Sequence, residues 1–213
     1  MDSSLRLSYS LACFSKRSID VMGALCLLVL LAPLLFIISL AIRIDSFGPS
    51  LFRQKRIGRF GTSFFVYKFR TMVSDAENLL SEMESANETP LGLLNLRNDP
   101  RVTRVGRFLR RTSLDELPQL VNVLRGEMSL VGPRPWHDSD CQRMATLDPQ
   151  AYALRLSVRP GVTGLAQVHG RKLCAPQRIL ELDRDYASRW TLVRDFTILY
   201  QTLGVVFSGE GAK

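Results

Sequence analysis

Apolar residues are distributed along this chain in two ways. From Val21 to Ile42 they form a run of 22 positions that no charged residue interrupts. After it they recur at strand or helix spacing, separated by charges. As a helix the run measures about 33 Å, enough to cross the hydrocarbon core of a bilayer. Pro33, near its middle, removes a backbone hydrogen bond and predicts a kink. Cations flank both ends, with Lys16 and Arg17 before the run and Arg43, Arg53, Lys55, Arg56 and Arg59 after it. A spanning helix carries its cations mainly on the cytosolic side. A helix bent at Pro33, with both ends in the cytosol, satisfies both flanks. Three readings stand on this pattern: a kinked span, a re-entrant helix, and a cleaved signal peptide. For the third, Ser39-Leu40-Ala41 is a faint cleavage site behind an apolar core that is long for a signal.

Beyond the run, Leu51 to Ile57 and Phe64 to Met72 read as two strands joined by the turn Gly58-Arg59-Phe60-Gly61. Lys68 and Arg70 are two apart, so on a strand they share a face; that face is either a solvated basic surface or a pair of cations aimed at one anion. Ser74-x-x-Glu77 predicts a helix from about 75 to 85, followed by a loop over 87–96. Asp99-Pro100 predicts another helix, with Asp99 as N-cap and Pro100 in the first helical position. A helix over about 177–189 follows, then an amphipathic element over 192–207 that is too polar to span and suits an interface.

Charge changes the picture. The 213 residues carry a net charge of +8, which suits an anionic partner such as a phosphate-bearing substrate, an acidic lipid surface or nucleic acid. Arginine is concentrated at Arg97, Arg101, Arg104, Arg107, Arg110 and Arg111, with Asp99 the only acid among them. Anionic headgroups and substrate phosphate both explain this density. The acidic pair Asp115-Glu116 comes next. Thr112 and Ser113 are N-cap types, and Leu114, Leu117, Leu120, Val121 and Leu124 recur at helical spacing, so the pair is predicted in a first helical turn. There the helix dipole and the guanidinium groups would lower both carboxylate pKa values. An ionised carboxylate in a cationic pocket can attack a phosphoryl group or hold a divalent metal. Ser113-x-x-Glu116 is also a capping box, which accounts for the acids without catalysis. Arg134 sits between Pro133 and Pro135, a rigid setting for bidentate phosphate recognition or simply a Pro-rich turn. Cys13, Cys26, Cys141 and Cys174 have no metal or redox spacing, which predicts reduced thiols. With His137 and His169 alone, zinc-hydrolase and Ser-His designs have little material.

The ordered motifs resemble the bacterial sugar transferase family, the monotopic phosphoglycosyl transferases, in minimal catalytic form. The match runs through Lys16-Arg17-x-x-Asp20, the Pro33-broken run, Phe52-Arg53-Gln54 and Lys68-Phe69-Arg70-Thr71-Met72. It continues through 99–106, Ser113 to Leu120, Met128 to Pro135, 159–164, Gly170-Arg171, Asp183-x-x-Tyr186 and Asp195. The sequence departs from the common pattern at Ala32, where serine often precedes the break proline, and at His169 and Thr191.

The resemblance implies an α-rich α+β membrane protein. Residues 1–15 would form an interfacial segment and 16–44 a re-entrant membrane helix broken at Pro33. Residues 45–213 would form a small cytosolic catalytic domain with a short β-hairpin and amphipathic interfacial helices. It implies a Mg²⁺-dependent ping-pong reaction at the bacterial inner membrane, facing the cytosol, between a UDP-sugar and polyprenyl phosphate. Asp115 would be the nucleophile, with Glu116 beside it and both contacting Mg²⁺. The family's phosphate-binding positions fall on Lys68, Arg110 and Arg134, and the strand pairing adds Arg70. The competing expectation is a non-catalytic, membrane-anchored basic protein that binds anionic lipid or nucleic acid. The arginine run has no interleaved aromatics for base stacking, which argues against nucleic acid. A purely electrostatic binder also has no use for an acidic pair.

Overall fold

The computed structural model describes residues 3–76, 99–169 and 175–208. The predicted loop 87–96, all but the start of the predicted helix 75–85, and Gly170-Arg171 lie outside the described residues.

The apolar run forms two helices, α1 (Ser3–Leu30) and α2 (Ala32–Asp45), separated at Leu31. Leu31 donates to the Leu27 carbonyl and accepts from Leu35 N, so the backbone thread stays hydrogen-bonded through the break. Pro33 stands in the first turn of α2, where a missing N–H is tolerated. Large apolar side chains on both helices face outward, among them Val29 and Leu30 on α1 and Phe36 and Ile37 on α2. An exposed apolar surface of this extent suits lipid rather than water.

Both helices also pack on the rest of the chain. On α1, Lys16 Nζ lies 2.6 Å from Asp195 Oδ2. Arg17 donates to the Val123 and Leu124 carbonyls. Asp20, 3% exposed, accepts from Ser129 Oγ and Leu130 N. Ala24 joins the main core with Phe64, Val66 and Leu130. On α2, Ile38 and Ile42 pack with Phe69 and Leu109, and Asp45 Oδ2 accepts from Val105 N. Ala24 on α1 and Ile42 on α2 thus both pack against the same domain.

That domain begins with an antiparallel hairpin, β1 (Leu51–Ile57) and β2 (Ser63–Phe69), in register from Leu51↔Phe69 to Ile57↔Ser63. The strand ends at Phe69, short of the predicted Met72. Thr71 O instead accepts from Thr103 N, Val73 N donates to Arg101 O, and Met72 bridges Val102. This pairing holds 101–103 extended, so no helix starts at Pro100. The helix α3 (Arg104–Thr112) is capped by Thr103, whose side chain accepts from Gly106 N at 2.9 Å. Asp99, the predicted cap, turns to Arg101 and grips its guanidinium at 2.9 and 2.7 Å. At Gly106 a Cβ would sit 2.1 Å from Thr71 O, so only glycine permits this approach.

A 3₁₀ turn at Leu114–Glu116 leads to α4 (Gln119–Arg125) and β3 (Ser129–Val131). Next come α5 (Asp138–Leu147), α6 (Pro149–Arg155) and β4 (Gly161–Thr163), which pairs parallel to β3. The chain then adds α7 (Leu165–Val168), α8 (Pro176–Ser188) and α9 (Leu192–Ser208). Along α9, Val193, Phe196, Tyr200 and Leu203 are exposed at helical spacing, while Asp195 and Ile198 are buried.

Two buried polar joints hold the parts together. Asn122, fully buried, accepts from Tyr67 N and donates to Phe65 O and Glu127, joining α4 to β2. Arg155 and Asp183, 3% and 2% exposed, pair at 2.9 Å and tie α6 to α8. Asn122→Ala leaves a strand N–H and C=O without partners, at a cost of about 2–4 kcal/mol; a lowered thermal unfolding midpoint of the detergent-solubilised protein checks it. Arg155→Met strands a buried carboxylate and costs about 3–5 kcal/mol. Adding Asp183→Asn restores part of that loss, so a double-mutant cycle by denaturant unfolding shows strong non-additivity.

Candidate active site

The site lies where three segments converge: the end of β2, the turn after α3, and the Pro-Arg-Pro segment after β3. Ser113 adopts a left-handed backbone, φ 58°, and closes α3 as its C-cap. A non-glycine residue takes this conformation only where the surroundings hold it. The Ser113 side chain makes no capping bond, so the expected capping box and first helical turn are not formed. The chain reverses instead, and the short 3₁₀ turn carries Asp115 and Glu116 toward β2.

Glu116 sits between two cations. Lys68 Nζ is 3.0 Å from Oε1, and Arg134 reaches Oε1 at 2.9 Å and Oε2 at 3.4 Å. Burial pushes the Glu116 carboxyl up, but the Arg134 and Lys68 charges and hydrogen bonds outweigh it and hold it well below the usual carboxylate range. Asp115 behaves in the opposite way. Burial raises its pKa, the neighbouring Glu116 charge adds to the rise, and Lys68, Arg110 and Arg134 oppose it without cancelling it. The expectation that both carboxylates are depressed is therefore corrected: with no full helical turn beneath the pair there is little dipole, and Glu116 takes the direct cation contacts. Glu116 is the structural anion of the pocket, and no cation grips Asp115 directly among the described residues.

Of the cations named from sequence, Lys68, Arg110 and Arg134 act electrostatically on Asp115. Arg110 is half-buried and donates from Nε to Thr71 Oγ1 at 2.9 Å. Arg70 does not join them. It lies just past the end of β2, so strand alternation no longer places it beside Lys68. Its buried guanidinium donates to the Ser46 and Phe47 carbonyls and to the Ser46 and Ser74 hydroxyls. Arg70 thus fixes the chain where it leaves α2, with both terminal nitrogens engaged there and Nε buried without a partner among the described residues.

Two contributors were not singled out from sequence. Arg56 on β1 belongs to the same field, since burial and the nearby Arg134 charge push its pKa down to about 10. It stood in the sequence among general flanking cations, and the hairpin register together with the Ile57–Trp136 bridge brings it toward the Pro-Arg-Pro segment. Arg155 donates to the Arg134 carbonyl at 2.6 Å while its guanidinium lies 3.6 Å from the Trp136 ring centroid. It fixes the backbone that presents Arg134. Its partner, Asp183, is 28 residues away in sequence, so no local pattern announces the pair.

Among the described residues no group of three or more metal-binding side chains converges. The donors at the pocket are the carboxylates of Asp115 and Glu116. Mg²⁺ commonly takes one or two carboxylates and completes its shell with water and substrate phosphate. The pair fits that mode, with the ungripped Asp115 better placed to contribute than Glu116.

The chain matches the family described as bacterial sugar transferase over residues 11–209. It is 41% identical over 216 residues to the UDP-galactose-lipid carrier transferase of Erwinia amylovora, covering 98% of this chain and 44% of that protein. It is 41% identical over 205 residues to the undecaprenyl-phosphate galactose phosphotransferase of Salmonella typhimurium, covering 93% of this chain and 42% of that protein. With the UDP-glucose:undecaprenyl-phosphate glucose-1-phosphate transferase of Caulobacter vibrioides it shares 42% over 202 residues, 92% of this chain and 71% of that protein. The chain thus spans less than half the length of the Erwinia and Salmonella relatives. Likeness along nearly its whole length carries the assignment: this chain belongs to the bacterial sugar transferase family.

Proposed function

We propose that this protein transfers a sugar 1-phosphate from a UDP-sugar to polyprenyl phosphate, as a membrane step in glycan or polysaccharide assembly. The observation that carries the reading is the division of labour in the acidic pair. Glu116 is locked between Lys68 and Arg134, while Asp115, one residue away, keeps a carboxylate free of direct cation contact among the described residues, within the same cationic field. The names of the Erwinia, Salmonella and Caulobacter relatives support the substrate classes.

The reaction proceeds in two displacements. Asp115 Oδ attacks the β-phosphorus of the UDP-sugar, the bond from that phosphorus to the bridging oxygen breaks, and UMP leaves with the electron pair. A sugar-phosphoryl-aspartate remains. An oxygen of polyprenyl phosphate then attacks the same phosphorus, the acyl-phosphate bond breaks, and the Asp115 carboxylate is regenerated with polyprenyl-diphosphate-sugar as product. An anion attacking an anion needs cations. Lys68, Arg110 and Arg134 reduce the repulsion and meet charge on the phosphoryl oxygens. Bound to Asp115 and Glu116 with the substrate phosphates, Mg²⁺ would supply further neutralisation at the same oxygens.

The polyprenyl substrate stays in the bilayer, so the site belongs at the membrane surface, and we read the α1–α2 pair as a re-entrant helix of the bacterial inner membrane with the domain in the cytosol. Contact of both α1 and α2 with one domain supports this, because a helix crossing the bilayer carries its two ends to opposite sides. The exposed apolar face of α9 fits the same surface.

The test is UMP release by nanodisc-embedded protein with Mg²⁺, polyprenyl phosphate and a panel of UDP-sugars. Asp115→Asn is expected to lower turnover by at least about 10³-fold with the fold intact; equal turnover removes the nucleophile assignment. The pH profile gives an independent check. Because burial and Glu116 raise the Asp115 pKa, the carboxylate forms only at higher pH, and the acid limb of kcat/KM for the UDP-sugar is expected above the ordinary aspartate range. Glu116→Gln removes the repelling charge and leaves Lys68 and Arg134 facing Asp115, so the limb moves to lower pH while the rate falls.

A further inference from the structure

The arginine-rich helix α3 divides its charges between two faces. Arg110 turns inward to Thr71 and the pocket. Arg104, Arg107 and Arg111 point outward, together with Phe108, which is 50% exposed. These four occur at i, i+3, i+4 and i+7, one stripe along the helix. None of the three outward guanidinium groups has an acidic partner or a hydrogen bond among the described residues. Some exposed arginines elsewhere are paired, Arg178 with Glu181 at 2.9 Å and Arg189 with Asp185 at 3.7 Å, but nowhere else among the described helices do three unpaired arginines share one stripe. An ordinary solvated helix balances its cations with acids at these spacings, and α3 carries no acid at all.

The stripe also has a fixed address. Leu109 packs on Ile38 and Ile42 in the later turns of α2, and the N-terminus of α3 is pinned to Asp45, the last residue of α2. Thus α3 lies at the level where the apolar helix gives way to polar chain. Arg43 and Phe47, both exposed, flank the same boundary. In a bilayer that boundary is the headgroup layer, where arginine stems lie against apolar surface while their heads meet phosphate. An exposed phenylalanine among arginines that are unpaired among the described residues suits that mixed layer and is poorly suited to bulk water.

We infer that the outward face of α3, Arg104, Arg107, Phe108 and Arg111, is a docking surface for anionic phospholipid headgroups, separate from the phosphate-binding cations of the active site. The inference rests on the membrane reading above and requires no catalysis. It makes seating of the domain on the bilayer depend on lipid charge, with the apolar helices supplying insertion and α3 supplying the electrostatic contact. Each arginine at an acidic surface strengthens attachment about fivefold, and salt screens it.

The test uses the full chain with Phe108→Trp as reporter, reconstituted in nanodiscs of phosphatidylcholine alone or with about 30 mol% phosphatidylglycerol, a strongly acidic surface. The signal is the emission of the reporter protein minus that of wild type, and its quenching by lipids brominated near the headgroup. Blue-shifted, quenched emission is expected in phosphatidylglycerol discs and a weaker signal in neutral discs, with the difference removed by about 0.5 M salt. Replacing Arg104, Arg107 and Arg111 with Gln abolishes the difference while the protein still fractionates with the discs; replacing all three with Lys preserves it. Equal signals in the two kinds of disc overturn the inference. So does loss of the signal to millimolar inorganic phosphate at constant ionic strength, which would mark a soluble-phosphate site. Failure to fractionate with discs overturns both the inference and the membrane reading. UMP release plays no part in the readout, so a failed enzyme assignment leaves this result separately interpretable.

Discussion

The candidate site depends on one ionic clamp, Glu116 held between Lys68 and Arg134. Two adjacent carboxylates in a cationic pocket have to differ if one is to react. Here the clamp holds Glu116 directly, while burial, with the Glu116 charge added to it, raises Asp115. Each member of the clamp comes from a different segment, so the packing that positions the segments also fixes the chemistry. Asn122 joins α4 to β2, which carries Lys68. The Arg155–Asp183 pair grips the Arg134 carbonyl. Ser113, in its left-handed conformation, turns the acidic pair back toward the strand.

A second set of charged residues serves the apolar helices. Lys16, Arg17 and Asp20 reach the domain through Asp195, the end of α4 and the start of β3. Tyr186 OH lies 2.8 Å from Asp195 and 2.9 Å from the Val131 carbonyl, and Trp190 donates to the same carboxylate. Within the described structure these ionisable motif residues are joints. They make α1 part of the packed fold, so the apolar helices and the pocket form one unit rather than a helix and a tethered domain.

Local pattern reveals those features whose cause is local. The apolar run with its proline, the hairpin around Gly58–Gly61, α8 and α9 were legible because period, length and turn chemistry act within a few residues. The reading failed where a distant partner decided. Asp99-Pro100 is a good helix start, but pairing of 101–103 with 71–73 keeps the backbone extended until Thr103. Ser113-x-x-Glu116 is a good capping box, but the left-handed turn at Ser113 and the two cations claim the residues differently. Arg70 shares the strand face of Lys68 only if the strand continues, and it ends one residue too early. The parallel strands β3 and β4 are three residues each, too short for a period to show.

The sequence by itself determined the composition of the site and of the anchor. The density of arginine, the adjacent Asp115-Glu116, the rigid Pro-Arg-Pro and the uncharged apolar run are properties of residue type and order, and they suit an anionic partner and an apolar environment. Tertiary structure alone decided which cation meets which carboxylate. It made Glu116 the clamp and Asp115 the free group, withdrew Arg70, and added Arg56 and Arg155. The reason is physical. Charge type is carried by the residue, whereas ionisation, desolvation and pairing depend on distances of a few ångströms between segments that lie tens of residues apart.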